Sequence, residues 1–199
     1  MRRFLPLLAL PVALAACGST PPDAAYVFDT PPVRAQSRET ITQTRVAFVA
    51  VPPQDLLLWI INVPLEDVFG RYGIIPAVAG TQPLSPNWPE VGARRRVLLS
   101  DGNQAAEMIL AVEGDSAFTY QVWGFTNAAG GLTDYAIGRF EVEPALGGAR
   151  LTWTYAFAPR SGWTKPPLAV FVATQWSGYM TRAISNLVGG AEQALARAN

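Results

Sequence analysis

Residues 166–188 read PPLAVFVATQWSGYMTRAISNLV. Within them Leu168, Phe171, Val172, Gln175, Trp176, Tyr179, Met180, Ala183, Ile184, Leu187 and Val188 recur in steps of three and four. That spacing puts the side chains on one stripe of an α-helix. Pro166 and Pro167 open it, because proline fits a first helical turn. Ser177, Thr181, Arg182, Ser185 and Asn186 interrupt the apolar run, so it does not read as a membrane span. A single amphipathic helix of this length must bury its stripe against something else in the chain.

What lies upstream is mostly strand. Six segments, 74–82, 94–100, 104–112, 117–125, 135–143 and 149–158, are each bounded by Gly, Pro, Asp or Asn. Asp101, Gly102 and Asn103 form a hairpin turn signal, and Gly130–Gly131 and Gly147–Gly148 mark further reversals. Before these, 40–51 reads as a strand with Thr42, Thr44, Val46 and Phe48 on one parity. Pro52 and Pro53 stop it and open a helix over 54–62, with Leu56, Trp59 and Ile60 at helical spacing. Pro64 opens a second short helix to about Phe69. One strand, two short helices, six strands and one long helix make an α+β layout. No internal repeat is present.

The third and fourth strands carry a more specific pattern. Trp88, Gly92, Arg95, Val97, Leu99, Asp101, Gly102 and Glu107 resemble the Trp-x-x-x-Gly-x-x-Arg-x-Val-x-Leu-x-Asp-Gly-x-x-x-x-Glu run of bacterial SRPBCC-superfamily members. The run 120–124 (YQVWG), then Phe140, Val142 and Pro144, and the segment from Gly148 to Trp153 are similar too. That superfamily includes plant pollen allergens, START-type lipid carriers and polyketide cyclase-like proteins. The resemblance spans about residues 40–190 and leaves 191–199 as a tail. It implies the helix-grip fold, a curved seven-stranded antiparallel sheet around a long C-terminal helix. Activity does not follow, because one fold hosts carriers, cyclases, hydrolases and sensors.

The resemblance also implies a cavity between sheet and helix. Its expected wall residues are Trp59, Tyr120, Val122, Trp153, Tyr155, Phe171, Gln175 and Tyr179. Tyr and Trp suit such a wall, since each joins a flat apolar surface to one hydrogen-bonding group. The same residues would also serve as plain core. The surplus of six Trp, six Tyr and nine Phe favours a cavity. Arg95 and Glu107 lie on consecutive strands across the Asp-Gly turn, on one face. They can hold the polar head of a ligand, polarise a carbonyl, or form an inward ion pair, which needs mutual neutralisation. Arg94 and Arg96 point the other way and read as a solvated face. Asp134, Glu141 and Glu143 have no evident partner in the sequence, and the only Lys, Lys165, reads as an exposed helix-start residue.

The first residues are an address. Arg2 and Arg3 precede an apolar run from Phe4 to Leu14, which in helix reaches about 16 Å, short of a ~30 Å hydrocarbon core. This is a signal segment. Leu14, Ala15, Ala16 and Cys17 resemble a bacterial lipobox, which implies cleavage before Cys17 and acylation of that residue. The alternative is a secreted protein with an incidental thiol. Gly18 after the cysteine implies sorting to the outer membrane, facing the periplasm. Residues 17–39 are rich in Pro, Ser and Thr and read as a flexible tether of roughly 25 Å r.m.s. span, in which Tyr26, Val27 and Phe28 are a candidate docking spot.

Composition closes off several functions. The 199 residues hold fifteen basic and fifteen acidic side chains, and loss of Arg2 and Arg3 with the leader turns net zero into −2. No nucleic-acid footprint is present. There is no His, which removes His-based triads and His metal sites. No cofactor or metal motif is found, and no phosphate loop with Lys. Three functions remain in view. One is a lipid-anchored carrier of a hydrophobic molecule. Another is a cyclase- or hydrolase-type enzyme with Glu107 or Asp134 as base and Tyr120 or Arg95 as electrophile. A partner-binding envelope protein with a filled core is a third.

Overall fold

The computed structural model describes residues 31–34 and 39–197. The leader, Cys17 and the Tyr26–Phe28 segment lie outside the described residues. Seven strands form one antiparallel sheet: β1 (Ile41–Val49), β2 (Val78–Pro83), β3 (Arg94–Leu99), β4 (Gln104–Glu113), β5 (Ala117–Trp123), β6 (Thr133–Ala145) and β7 (Gly148–Pro159). Their order is β1-β7-β6-β5-β4-β3-β2. From β2 onward the chain is a meander. Between the two edge strands it crosses through α1 (Pro53–Asn62) and α2 (Leu65–Val68). This is the α+β order expected from the sequence.

The hairpin linking β3 to β4 turns at Asp101–Asn103, where the Leu99 N–H donates to the Asn103 carbonyl at 2.8 Å. Register shifts between Ile109 and Ala111 in β4, and between Thr133 and Tyr135 in β6, mark bulges. An extra residue on one strand bends it, and the sheet curves around its concave face. β2 is shorter than the expected 74–82, because Pro76 has no N–H to give a ladder. Tyr72 and Ile75 pair instead as an isolated bridge. The Thr42, Thr44, Val46 and Phe48 parity of β1 faces outward, with Val46 and Phe48 about half exposed.

The C-terminal rod is continuous but not uniform. It comprises α3 (Lys165–Phe171), one wide π turn (Val172–Trp176) and α4 (Ser177–Ala196). Leu168, Val172, Met180, Ala183, Leu187 and Ala191 are buried against the concave face, and full burial contributes roughly 1.5–3 kcal/mol for each large side chain. The expected tail from 191 is helix instead. Gly189 and Gly190 invite a stop, yet a Cβ at Gly190 would lie 2.9 Å from the Trp59 ring. The missing side chain lets α1 pack directly on α4, and that packing carries the helix on to Ala196. Arg45 on β1 ties the rod down, donating to the Thr181 hydroxyl at 2.9 Å and the Ser177 carbonyl at 2.8 Å. Among the described residues no helix is long and apolar enough to cross a membrane.

Candidate functional site: an aromatic cavity under the long helix

Alternation along the strands sends Phe118, Tyr120 and Val122 of β5, Phe140 of β6, and Trp153, Tyr155 and Phe157 of β7 to the concave face. Cross-strand register then sets their neighbours: Phe118 opposite Phe140, and Phe140 opposite Trp153. The rings stack in that order, at 5.3 Å and 5.2 Å between centroids. Tyr120 sits opposite Gly138, and Gly138 opposite Tyr155. A Cβ at Gly138 would stand 2.0 Å from Cζ of Tyr120, so the glycine is what lets that ring lie across the sheet.

The helix does not fill the hollow. A cavity of about 1090 Å3 remains, bounded by the sheet, α2, the π turn and α4, and it continues past the 124–132 loop. Arg95, Glu107, Tyr120, Val122, Trp153, Phe171 and Tyr179 line it. Three expected wall residues do not. Trp59 faces away, beside Gly190 in a smaller hollow between α1 and α4. Tyr155 lies behind Trp176, with 4.6 Å between ring centroids. Gln175 turns to the Gly73–Ile74 loop, where its Oε1 accepts from the Ile74 N–H at 3.4 Å.

Sequence reasoning missed Trp176 and Phe69. Trp176 was legible as part of the helix stripe, but the π turn that aims it was not. The Ser177 N–H reaches back five residues to the Val172 carbonyl, and such turns recur at functional sites. There Trp176 meets Tyr155, Phe157 and Tyr179 within 5.0 Å between centroids. Phe69, from the end of α2, closes the opposite wall against Trp153 and Tyr179.

Two kinds of polar group face this apolar lining. Arg95 and Glu107, paired in register, bond through Nη2 to Oε1 at 3.0 Å and Nε to Oε2 at 3.4 Å. Glu107 is 4% exposed. Trp88 clasps the pair from outside. The Arg95 guanidinium lies 3.8 Å over its ring, and its indole N–H donates to the Ile61 carbonyl at 3.0 Å. Trp88 thus joins α1 to β3 and does not line the cavity. The second kind is phenolic. Tyr120 accepts from Trp153 Nε1 at 3.0 Å. Burial pushes its phenol well above the ordinary value, and the nearby Glu107 carboxylate pushes the same way. Burial raises Tyr155 and Tyr179 as well. All three are neutral hydroxyls at neutral pH.

Several other carboxylates pair with arginines, on the outer face or, for Asp134, at the cavity mouth. Arg139 holds Glu113 and Glu141, Arg150 holds Glu143, and Arg160 meets Asp134 at 3.2 Å. The partners of Asp134 and Glu143 lie across a strand pair, whereas Glu141 meets Arg139 two residues away on its own strand. Arg94 and Arg96 are half-buried rather than fully solvated. Lys165 does start a helix and pairs with Glu39 at 2.6 Å. The Pro32 carbonyl accepts from buried Gln121 Nε2 at 3.1 Å, so this part of the expected tether lies against the sheet.

A bent antiparallel sheet gripping one long helix over an aromatic hollow defines a hydrophobic-ligand-binding fold, the helix-grip fold of the SRPBCC superfamily. The chain belongs to the polyketide cyclase/dehydrase and lipid transport family, which matches residues 40–192. No curated protein sequence matches it. Among solved structures it is similar to Ara h 8.0201, with a TM-score of 0.59, 16% identity, and 77% of this chain and 98% of that one covered. Major latex-like protein 151 of Panax ginseng gives 0.58 at 12% identity, covering 76% and 97%. A Mesorhizobium loti protein gives 0.55 at 16% identity, covering 80% and 99%. At these identities the likeness is one of fold.

Proposed function

We propose that this is a lipid-anchored protein of the bacterial cell envelope that binds a hydrophobic small molecule inside the sheet and carries or sequesters it. The observation that carries this reading is the cavity of about 1090 Å3, lined mainly by aromatic and aliphatic side chains. Pockets of roughly 300–1,000 Å3 suffice for small organic ligands. A partner-binding protein with a filled core would not keep such a hollow. A cyclase or hydrolase needs a free base there. Both oxygens of Glu107 accept from Arg95, and Asp134 pairs with Arg160, which favours binding over turnover.

The anchor rests on Leu14–Cys17, and outer-membrane sorting on Gly18. Several acyl chains on Cys17 would hold the domain at the membrane where one is marginal. Native mass spectrometry of the Cys17→Ser chain, purified without detergent, tests the binding. A co-purifying or titratable lipid-sized mass is expected, and failure to carry or take up any hydrophobic molecule overturns the reading. Cell fractionation tests the anchor: the native chain should partition with outer membranes and Cys17→Ser with the soluble fraction. Equal partitioning removes it.

A further inference from the structure

The polar groups around the inner end of the cavity are unequally matched. Tyr120 spends its oxygen as an acceptor for Trp153, and its own O–H hydrogen meets no acceptor among the described residues. The hydroxyls of Tyr155 and Tyr179 make no protein hydrogen bond among the described residues, and of these atoms Trp176 Nε1 is the one fully buried without a partner. These four groups are neighbours. Tyr155 and Tyr179 both pack on Trp176, and the Tyr120 and Tyr155 rings are 6.2 Å apart. A buried donor without an acceptor costs free energy comparable to a lost hydrogen bond. An indole N–H can only donate, and the Tyr120 oxygen already accepts, so Trp176 Nε1 and the Tyr120 O–H both call for an acceptor.

Charge narrows the chemistry. The inner charges are Arg95 and Glu107, which cancel each other. Asp134 and Arg160 pair at the mouth. An anionic ligand would meet no uncompensated cation in the interior and would face the Glu107 carboxylate. Burying a charge without a partner is costly. A cationic ligand would fare no better, since burial keeps the phenols protonated and they supply no negative countercharge.

We propose that the ligand is an uncharged molecule, apolar over most of its length, that places a carbonyl, ether or hydroxyl oxygen among Tyr120, Tyr179 and Trp176, which line the cavity. The proposal rests on the cavity being a ligand site and adds the class of ligand. Three probes of equal chain length separate the two ideas: hexadecane, a mid-chain hexadecanone and palmitate, each titrated against the Cys17→Ser chain by native mass spectrometry. The ketone should bind about tenfold more tightly than the hydrocarbon, and palmitate more weakly than the ketone. Tyr179→Phe removes only an oxygen and should lower the ketone-to-hydrocarbon affinity ratio about three- to tenfold. Trp176→Phe should do the same, with a thermal melt to show that it folds. Hexadecane binding as tightly as the ketone, a preference for palmitate, or an unchanged ratio in both variants overturns the proposal and leaves the cavity reading standing. Binding of none of the probes overturns both.

Discussion

The two faces of the sheet use the same residue types to different ends. On the concave face Arg95 and Glu107 are 13% and 6% exposed, clasped by Trp88 and set among aromatic rings. On the convex face Arg150 and Glu143 make the same kind of pair with more than half of each side chain in solvent. Concave aromatics stack in a ladder under the helix. Convex Trp123 and Tyr135 instead join a small cluster with Ala106 and Ala158. The contrast shows that a side chain's contribution here is set by what excludes water from it. Strand parity assigns the face, and what packs over each face decides which side chains stay dry.

Breaking the inner pair should have the largest effect. Arg95→Met leaves the Glu107 carboxylate buried and uncompensated, and urea unfolding should show a loss of about 3–5 kcal/mol. The double variant Arg95→Met/Glu107→Leu should regain most of it, because the desolvated charges are then both gone. A double variant as unstable as the single one would mean that the pair holds the wall by geometry and not by mutual neutralisation.

Gly138→Ala comes next. The new Cβ meets the Tyr120 ring from 2.0 Å, so the ring must move into the cavity. Overpacking of this kind costs about 1–3 kcal/mol, and the ligand-accessible volume should shrink with it. Unfolding and native mass spectrometry read the two effects separately. No change in either would show that Tyr120 has room to swing.

Alkaline pH should act on the concave face in particular. Tyr120, Tyr155 and Tyr179 have folded pKa values raised above the ordinary value of about 10. The folded state therefore holds more protons than the unfolded one above that pH, and stability falls as pH rises from about 10 toward the folded values. Below about pH 10 these groups contribute no pH dependence. Tyrosinate absorbance for the three should rise together with the loss of near-ultraviolet circular dichroism, and Tyr179→Phe should flatten the decline. Ionisation of all six tyrosines before any unfolding would contradict the dry concave face. The smallest effect belongs to the convex pair. Arg150→Ala should change stability by under about 0.5 kcal/mol in the same urea assay, and a loss above 1 kcal/mol would mean that the outer face is covered.

Much of this was open to reading from the chain. The period of 3.6 in 166–188 and the turn residues between strands mark the elements, because both patterns are local. Arg95 and Glu107 were paired from alternation across a short hairpin, which sets register without distant information. Trp59, Tyr155 and Gln175 were misplaced for a common reason. Their helical or strand phase was right, but what each meets is set by another element: Gly190 for Trp59, Trp176 for Tyr155, the Gly73 loop for Gln175. The arginine partners of Asp134 and Glu143 also come from across a strand pair.

The amino-acid order alone was enough for the element sequence, the family resemblance and the inward pair, since each depends on neighbours a few residues away or on a short turn. The volume under the helix, the π turn that aims Trp176 and the unpartnered indole N–H it buries required the folded chain. A cavity is the space that distant segments fail to fill, and no local pattern records how far apart their packing leaves them.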